Sequence, residues 1–118
     1  MYAATMRIGD LSAQTGVSRR LIRYYEVNGL LNSRRTTNGW REFEDDAVVR
    51  IRNIRELLDS GLNIADIQRV APCLDRDIDP AHCHEVLAMY NDRLDVLEQQ
   101  YTQVSKHRDA LRRRITGV

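Results

Sequence analysis

The chain has 118 residues, of which 42% are hydrophobic and 30% charged, with a net charge of +1. That length suits one compact domain, or a small domain with an extension, around a core kept mostly aliphatic by an aromatic content of only 6%. No run approaches the roughly 20 apolar residues of a membrane helix. "MYAATMR" lacks the apolar stretch and cleavage site of a secretory leader. A cytoplasmic protein without a membrane partner is therefore expected, its two cysteines serving as free thiols, ligands or core fillers rather than as a structural disulfide.

The near-neutral total hides a division. Residues 6–41 carry seven arginines (Arg7, Arg19, Arg20, Arg23, Arg34, Arg35 and Arg41) against Asp10 and Glu26, a local net of +5, and "EFEDD" at 42–46 then reverses the sign. A basic block in an otherwise balanced chain is the footprint of a polyanionic partner.

Residues 7–31 read as two short helices around a tight turn. Ile8 and Leu11 anchor the first, which stops at Thr15-Gly16, and Ser18 is placed to cap the second. At 100° per residue, Leu21, Ile22 and Tyr25 fall on one side of that second helix, and Arg19, Arg20, Arg23 and Tyr24 on the other. Helix, glycine turn and an arginine-bearing second helix form a helix-turn-helix pattern. In "NSRRTTNGWREF" (32–43), Asn38-Gly39 is a strong hairpin signal, which predicts a small wing with Arg34, Arg35 and Arg41 near its tip.

Asp45 is expected to cap a third helix carrying Ala47, Val48, Ile51, Ile54, Leu57 and Leu58 at helical spacing. Asn63 is expected to cap a shorter one with Ile64, Ile67 and Val70 inward, broken by Pro72. Arg50, Arg52 and Arg55 read as solubilising charge. After a linker at 73–79, Asp79-Pro80 signals a helix start, and no further glycine or proline occurs until Gly117. Leu87, Tyr90, Leu94, Leu97, Tyr101, Val104, Arg108, Leu111 and Ile115 step alternately by three and four, a heptad seam with one polar break. A stripe that narrow on a helix that long predicts a homodimer through a two-stranded coiled coil, of undetermined direction.

"MRIGDLSAQTGVSRRLIRYYEVNGLL", then "NGWREF", "SGLNIADI" and the heptad helix together resemble the MerR family of bacterial transcriptional regulators, over residues 6 to about 115. The resemblance implies a mainly α protein: a winged helix-turn-helix at 6–75, and at 76–118 a long helix forming an antiparallel coiled-coil dimer through Leu87, Tyr90, Leu94, Leu97, Tyr101, Val104 and Leu111. It implies a double-stranded partner, a near-palindromic operator between widely spaced promoter elements, distorted so that RNA polymerase engages both. On that reading Ser18, Arg19, Arg20, Arg23, Tyr24, Tyr25, Arg35, Thr37, Asn38, Gly39, Trp40 and Arg41 form the DNA contact surface. Arginine serves guanine edges or phosphates, and Tyr24, ranked above the inward-turned Tyr25, serves a phosphate.

The signal is less legible. Metal-sensing members carry cysteines in a loop after the long helix. "SKHRDALRRRITGV" after Val104 has none, so no resident metal or cofactor is expected. Cys73, His82, Cys83 and His84 leave three readings open: structural thiols, redox or electrophile sensing of a small effector, and a metal site. Three consecutive helical residues fan over about 200° and cannot all face one ion. An architectural or excisionase-like DNA-bending protein without an effector is the main alternative. No nucleophile-base set, phosphate loop or carboxylate pair supports an enzyme.

Overall fold

The computed structural model describes residues 5–79 and 83–117. A short strand, β1 (Thr5–Arg7), leads into α1 (Ile8–Thr15) and α2 (Arg19–Val27); β2 (Ser33–Arg35) and β3 (Arg41–Glu44) form a hairpin; α3 (Asp46–Asp59), α4 (Ile64–Gln68), a 3₁₀ turn (Ala71–Cys73) and α5 (His84–Thr116) follow. The architecture is thus mainly helical, with a small three-stranded wing and a long C-terminal helix.

The turn between α1 and α2 depends on Gly16, whose φ of 71° is a left-handed conformation that only glycine adopts readily. The hydroxyl of Ser18 accepts from the Leu21 N–H at 3.1 Å and opens α2. In the hairpin, the Thr36 N–H donates to the Trp40 carbonyl at 2.8 Å, and Gly39 supplies the positive φ at the tip. The sheet order is β1-β3-β2, all antiparallel, with Met6 opposite Phe43 and Ser33 opposite Phe43 on the other side. β1 is absent from the sequence reading, which starts the first helix at residue 7. Three residues are too short to show alternation, and the strand exists because β3 offers it an edge.

One core runs through the chain. Leu11, Ile22, Tyr25, Leu30, Leu31, Phe43, Ile51, Ile54, Ile67, Leu74, Val86 and Met89 are each 0–2% exposed. Each fully buried aliphatic side chain contributes about 1.5–3 kcal/mol. α4 starts with a reciprocal box: the Asp66 N–H donates to Asn63 and the Asn63 N–H to Asp66, at 2.8 and 2.9 Å.

Several expectations are corrected. Leu21 is 37% exposed, because Ile22 and Tyr25 define the buried line of α2 and Leu21 falls at its margin. Asp45 stands at the N-cap position of α3 but has helical dihedrals and makes no side-chain cap. α5 starts at His84, with Cys83 extended at its N-cap, not at Asp79-Pro80; Pro80 lies outside the described residues. Arg50 and Arg55 are not idle charge. Arg50 donates to the Ala71 carbonyl at 2.9 Å, and Arg55 to the Thr15 carbonyl at 3.0 Å, closing the C-terminal end of α1.

The two cysteines are also corrected: Cys73 and Cys83 are joined in a disulfide. The 3₁₀ turn and the first turn of α5 pack into the same core, which brings the two Cα atoms to 6.5 Å, a separation that a disulfide spans. Spacing in the sequence gives no hint of this approach.

Candidate nucleic-acid interface

Helix α2 presents two chemically distinct faces. Ile22 and Tyr25 are sealed in the core, whereas Ser18, Arg19, Arg20, Arg23 and Tyr24 are exposed. Among the described residues, Arg19, Arg20, Arg23, Arg34 and Arg35 have no carboxylate partner. Arg41 does: its guanidinium donates to Glu26 on α2 at 2.5 Å. The same Glu26 carboxylate accepts a hydrogen bond from the Ser33 hydroxyl on β2. The lone acid of the basic helix therefore ties both strands of the hairpin to α2.

A second tie holds the tip. The Arg7 guanidinium stacks over the Trp40 ring, 3.1 Å from its centroid. Such a contact is worth about 0.5–1 kcal/mol at an exposed site. Between the two ties the strands place Arg35 directly opposite Arg41. Like charges facing across a ladder destabilise it, and an anion at that position would relieve the repulsion. Thr37, Asn38 and Gly39 at the tip are exposed.

The Arg19 guanidinium lies over α1 at Gly9. A Cβ there would come within 2.8 Å of the Arg19 Nη2, so glycine leaves the space this arm occupies. Tyr24 is 49% exposed and its hydroxyl is available. Tyr25, included in the expected contact surface, is corrected: at 2% exposure its ring supports α2 from beneath, and burial raises its hydroxyl pKa above the ordinary 10.0. Arg7, Glu26 and Ser33 were missing from the expected site. A signal existed for Glu26, the single acid among the arginines of its helix, but the hairpin strands it holds are known only from the fold.

The long helix divides in two. Up to Leu97 it lies on its own domain. Val86 and Met89 enter the core, the Tyr90 hydroxyl donates to the Ile78 carbonyl at 3.4 Å, and Arg93 donates to the Gly61 carbonyl at 2.7 Å. Beyond Leu97 it projects away, giving the molecule a longest dimension of 71 Å. Of the expected seam, Tyr90 and Leu97 are half-buried against this chain's own residues, while Leu87, Leu94, Tyr101, Val104 and Leu111 are 50–74% exposed.

Among the described residues, no group of three or more His, Cys, Asp and Glu side chains is arranged to hold a metal ion, and no helix is long and apolar enough to cross a membrane. The two cysteines are committed to each other. His84 is exposed at the first position of α5, and His82 lies outside the described residues.

Residues 6–72 match the family model described as MerR HTH family regulatory protein. The chain is 33% identical over 112 residues to the nodulation protein NolA of Bradyrhizobium elkanii, covering 94% of this chain and 47% of that protein. It is 33% identical over 81 residues to the mercuric resistance operon regulatory protein of Bacillus cereus, covering 68% of this chain and 60% of that one. It thus spans about half to three-fifths of the length of these curated relatives. Among solved structures, HiNmlR, a regulator lacking the sensor domain and bound to promoter DNA, superposes with a TM-score of 0.59 at 24% identity, covering 96% of this chain and 89% of that one.

Proposed function

This chain belongs to the MerR family of helix-turn-helix regulatory proteins, and on that premise we propose that it is a DNA-binding transcriptional regulator acting in the cytoplasm as a homodimer. The observation that carries the reading is the row of exposed arginines on α2 without carboxylate partners among the described residues, beside a wing that Glu26 and Arg7 hold in place. Arg20 and Arg23 enter or border the major groove, where guanidinium pairs with guanine edges or phosphates. Tyr24 donates to a phosphate, and Arg19 is steered by its seat over Gly9. Arg35, Thr37, Asn38 and Trp40 on the wing meet the flanking backbone. Arg41 reaches a phosphate while still bonded to Glu26, or by exchanging it.

Residues 6–75 form the DNA-binding unit and 76–118 the dimerising one. The exposed stripe Leu87, Leu94, Tyr101, Val104 and Leu111 is covered by the α5 of a second copy running antiparallel, which sets two α2 helices at two half-sites of a near-palindromic promoter operator. Bending the spacer between the promoter elements costs a few kcal/mol, which contacts on both half-sites offset, and brings those elements into register for RNA polymerase.

The test is fluorescence anisotropy of the purified chain on a duplex from its own upstream region, titrated at several salt concentrations. Affinity should fall steeply with salt, with a log–log slope reporting several released counterions. Equal binding to unrelated duplexes at every salt concentration, or none to any, would overturn the reading.

A further inference from the structure

The disulfide stands at the joint between the two proposed units. Cys73 ends the 3₁₀ turn that closes the N-terminal core, and Cys83 is the residue on which α5 begins. They are the only two cysteines in the chain, so no third thiol competes for either. Around the bond the linker is held by an Arg76–Asp75 ion pair at 2.9 Å and by hydrogen bonds to its carbonyls. Asn53, 6% exposed, donates to the Leu74 carbonyl at 2.8 Å and the Arg76 carbonyl at 2.7 Å, and Tyr90 donates to the Ile78 carbonyl. The Sγ–Sγ bond closes the ten-residue loop between the 3₁₀ turn and the root of the long helix, a second covalent link beside the main chain.

We propose that Cys73 and Cys83 form a thiol–disulfide exchange site, closed by low-molecular-weight disulfides and opened by low-molecular-weight thiols, which sets how firmly α5 is fixed to the DNA-binding unit. Its regulatory consequence rests on the DNA-regulator reading above; the exchange chemistry does not. Cys73 is half-buried and Cys83 only 9% exposed, so Cys73 is the sulfur that an outside thiol reaches. In closing, the Cys73 thiolate attacks a disulfide RSSR, forming Cys73–S–SR and expelling RS⁻. The Cys83 thiolate then attacks the Cys73 sulfur and expels the second RS⁻. Two protein thiols lose two electrons and two protons, and RSSR becomes two RSH. Opening is the reverse, with RS⁻ attacking Cys73 and Cys83 leaving.

The output follows from leverage. At 1.5 Å per residue, the 33 residues of α5 make a rod of about 50 Å. It is seated on its own domain only as far as Leu97, so a small change of angle at Cys83 is a large displacement at the far end. In a dimer joined by α5 that angle fixes the distance and tilt between the two α2 helices. The closed form is pre-organised for two half-sites, and the open form must be ordered on binding. The closed form therefore binds the operator more tightly, by roughly 5–150-fold, the usual range of coupling between two sites.

The experiment equilibrates the full chain in buffers spanning ratios of reduced to oxidised glutathione. Maleimide mass shifts count thiols, trypsin cleavage after Arg76 reports the joint, and anisotropy reports operator binding. The expected result is a reversible passage between zero and two labelled thiols per chain, with faster cleavage and weaker binding on reduction. A Cys73→Ser/Cys83→Ser chain should match the reduced wild type in every buffer. A pair that stays oxidised or stays reduced at all ratios overturns the proposal, as does a disulfide found only between chains. Identical cleavage and binding in the two states also overturns it. If thiol count and cleavage change together but neither state binds any duplex, the exchange site stands and the DNA-regulator reading falls.

Discussion

On the side of the molecule built from α3, α4 and α5, Arg50, Arg55 and Arg93 each donate to a backbone carbonyl of another element, and Arg69 pairs with Asp92 at 2.8 Å. On the side built from α2 and the wing, Arg19, Arg20, Arg23, Arg34 and Arg35 have no carboxylate partner among the described residues. The sequence separates these arginines only by local charge balance, the α2 and wing set lying in the basic block and Arg50 and Arg55 outside it. The difference is whether another element passes within reach of the guanidinium. Where one does, the arginine satisfies a carbonyl that a helix end or loop leaves open. Where none does, its donors remain available to an anion. The wing's Arg41 sits between the two classes, since its partner Glu26 belongs to the same basic helix.

The sharpest way to break this contrast is to remove arginines from each side and read stability and DNA binding together. Arg20→Ala and Arg23→Ala should each cost about 1–3 kcal/mol of operator binding, measured by anisotropy, with the thermal midpoint unchanged. A lowered midpoint in these variants would mean that α2's outer face also serves the fold. Leu94→Asp with Leu111→Asp should dissociate the proposed dimer in sedimentation analysis without unfolding the chain, because neither side chain is buried in its own domain. Leu97→Asp is a poorer probe, since Leu97 lies against Gly61 within the chain.

Arg50→Ala should show the opposite pattern to the α2 variants. Loss of its bond to the Ala71 carbonyl should lower stability by about 1–2 kcal/mol in urea unfolding, with the salt slope of DNA binding unaltered. Glu26→Gln gives a smaller and subtler effect. It frees Arg41 and loosens the hairpin, so the log–log salt slope should steepen by about one unit while the thermal midpoint falls slightly. An unchanged slope would mean that Arg41 already gives its full charge to a phosphate in the complex.

The smallest effect is that of pH. Burial, the leading cause in both cases, raises the hydroxyl pKa values of Tyr25 and Tyr90 above 10.0. The folded chain therefore keeps protons on these two groups that the unfolded chain releases, and the stability they contribute should be lost as pH rises above about 10. Urea midpoints at alkaline pH for wild type, Tyr25→Phe and Tyr90→Phe check this. A wild-type curve parallel to both variants would remove the assignment.

Most of the local structure was legible because it is local. Ser18 and Asn63 cap the helices they precede, Gly16 ends α1, and Asn38-Gly39 turns the hairpin, since each acts on backbone groups within a few residues of itself. The exposed face of α2 was legible from helical spacing, and its arginines from their excess. The failures share one cause. β1 forms because β3 supplies an edge, and Arg50 and Arg55 gain work only when distant carbonyls arrive.

What the sequence by itself determined is therefore the set of helices, the position of the wing, the basic face and the period of the apolar stripe on α5, all consequences of repeat length and residue chemistry along one element. The tertiary structure alone decided which side of α5 is spent on its own domain, that Glu26 fastens both hairpin strands to α2, and that Cys73 meets Cys83. These depend on the approach of segments separated in the chain, and packing of the shared core sets that approach.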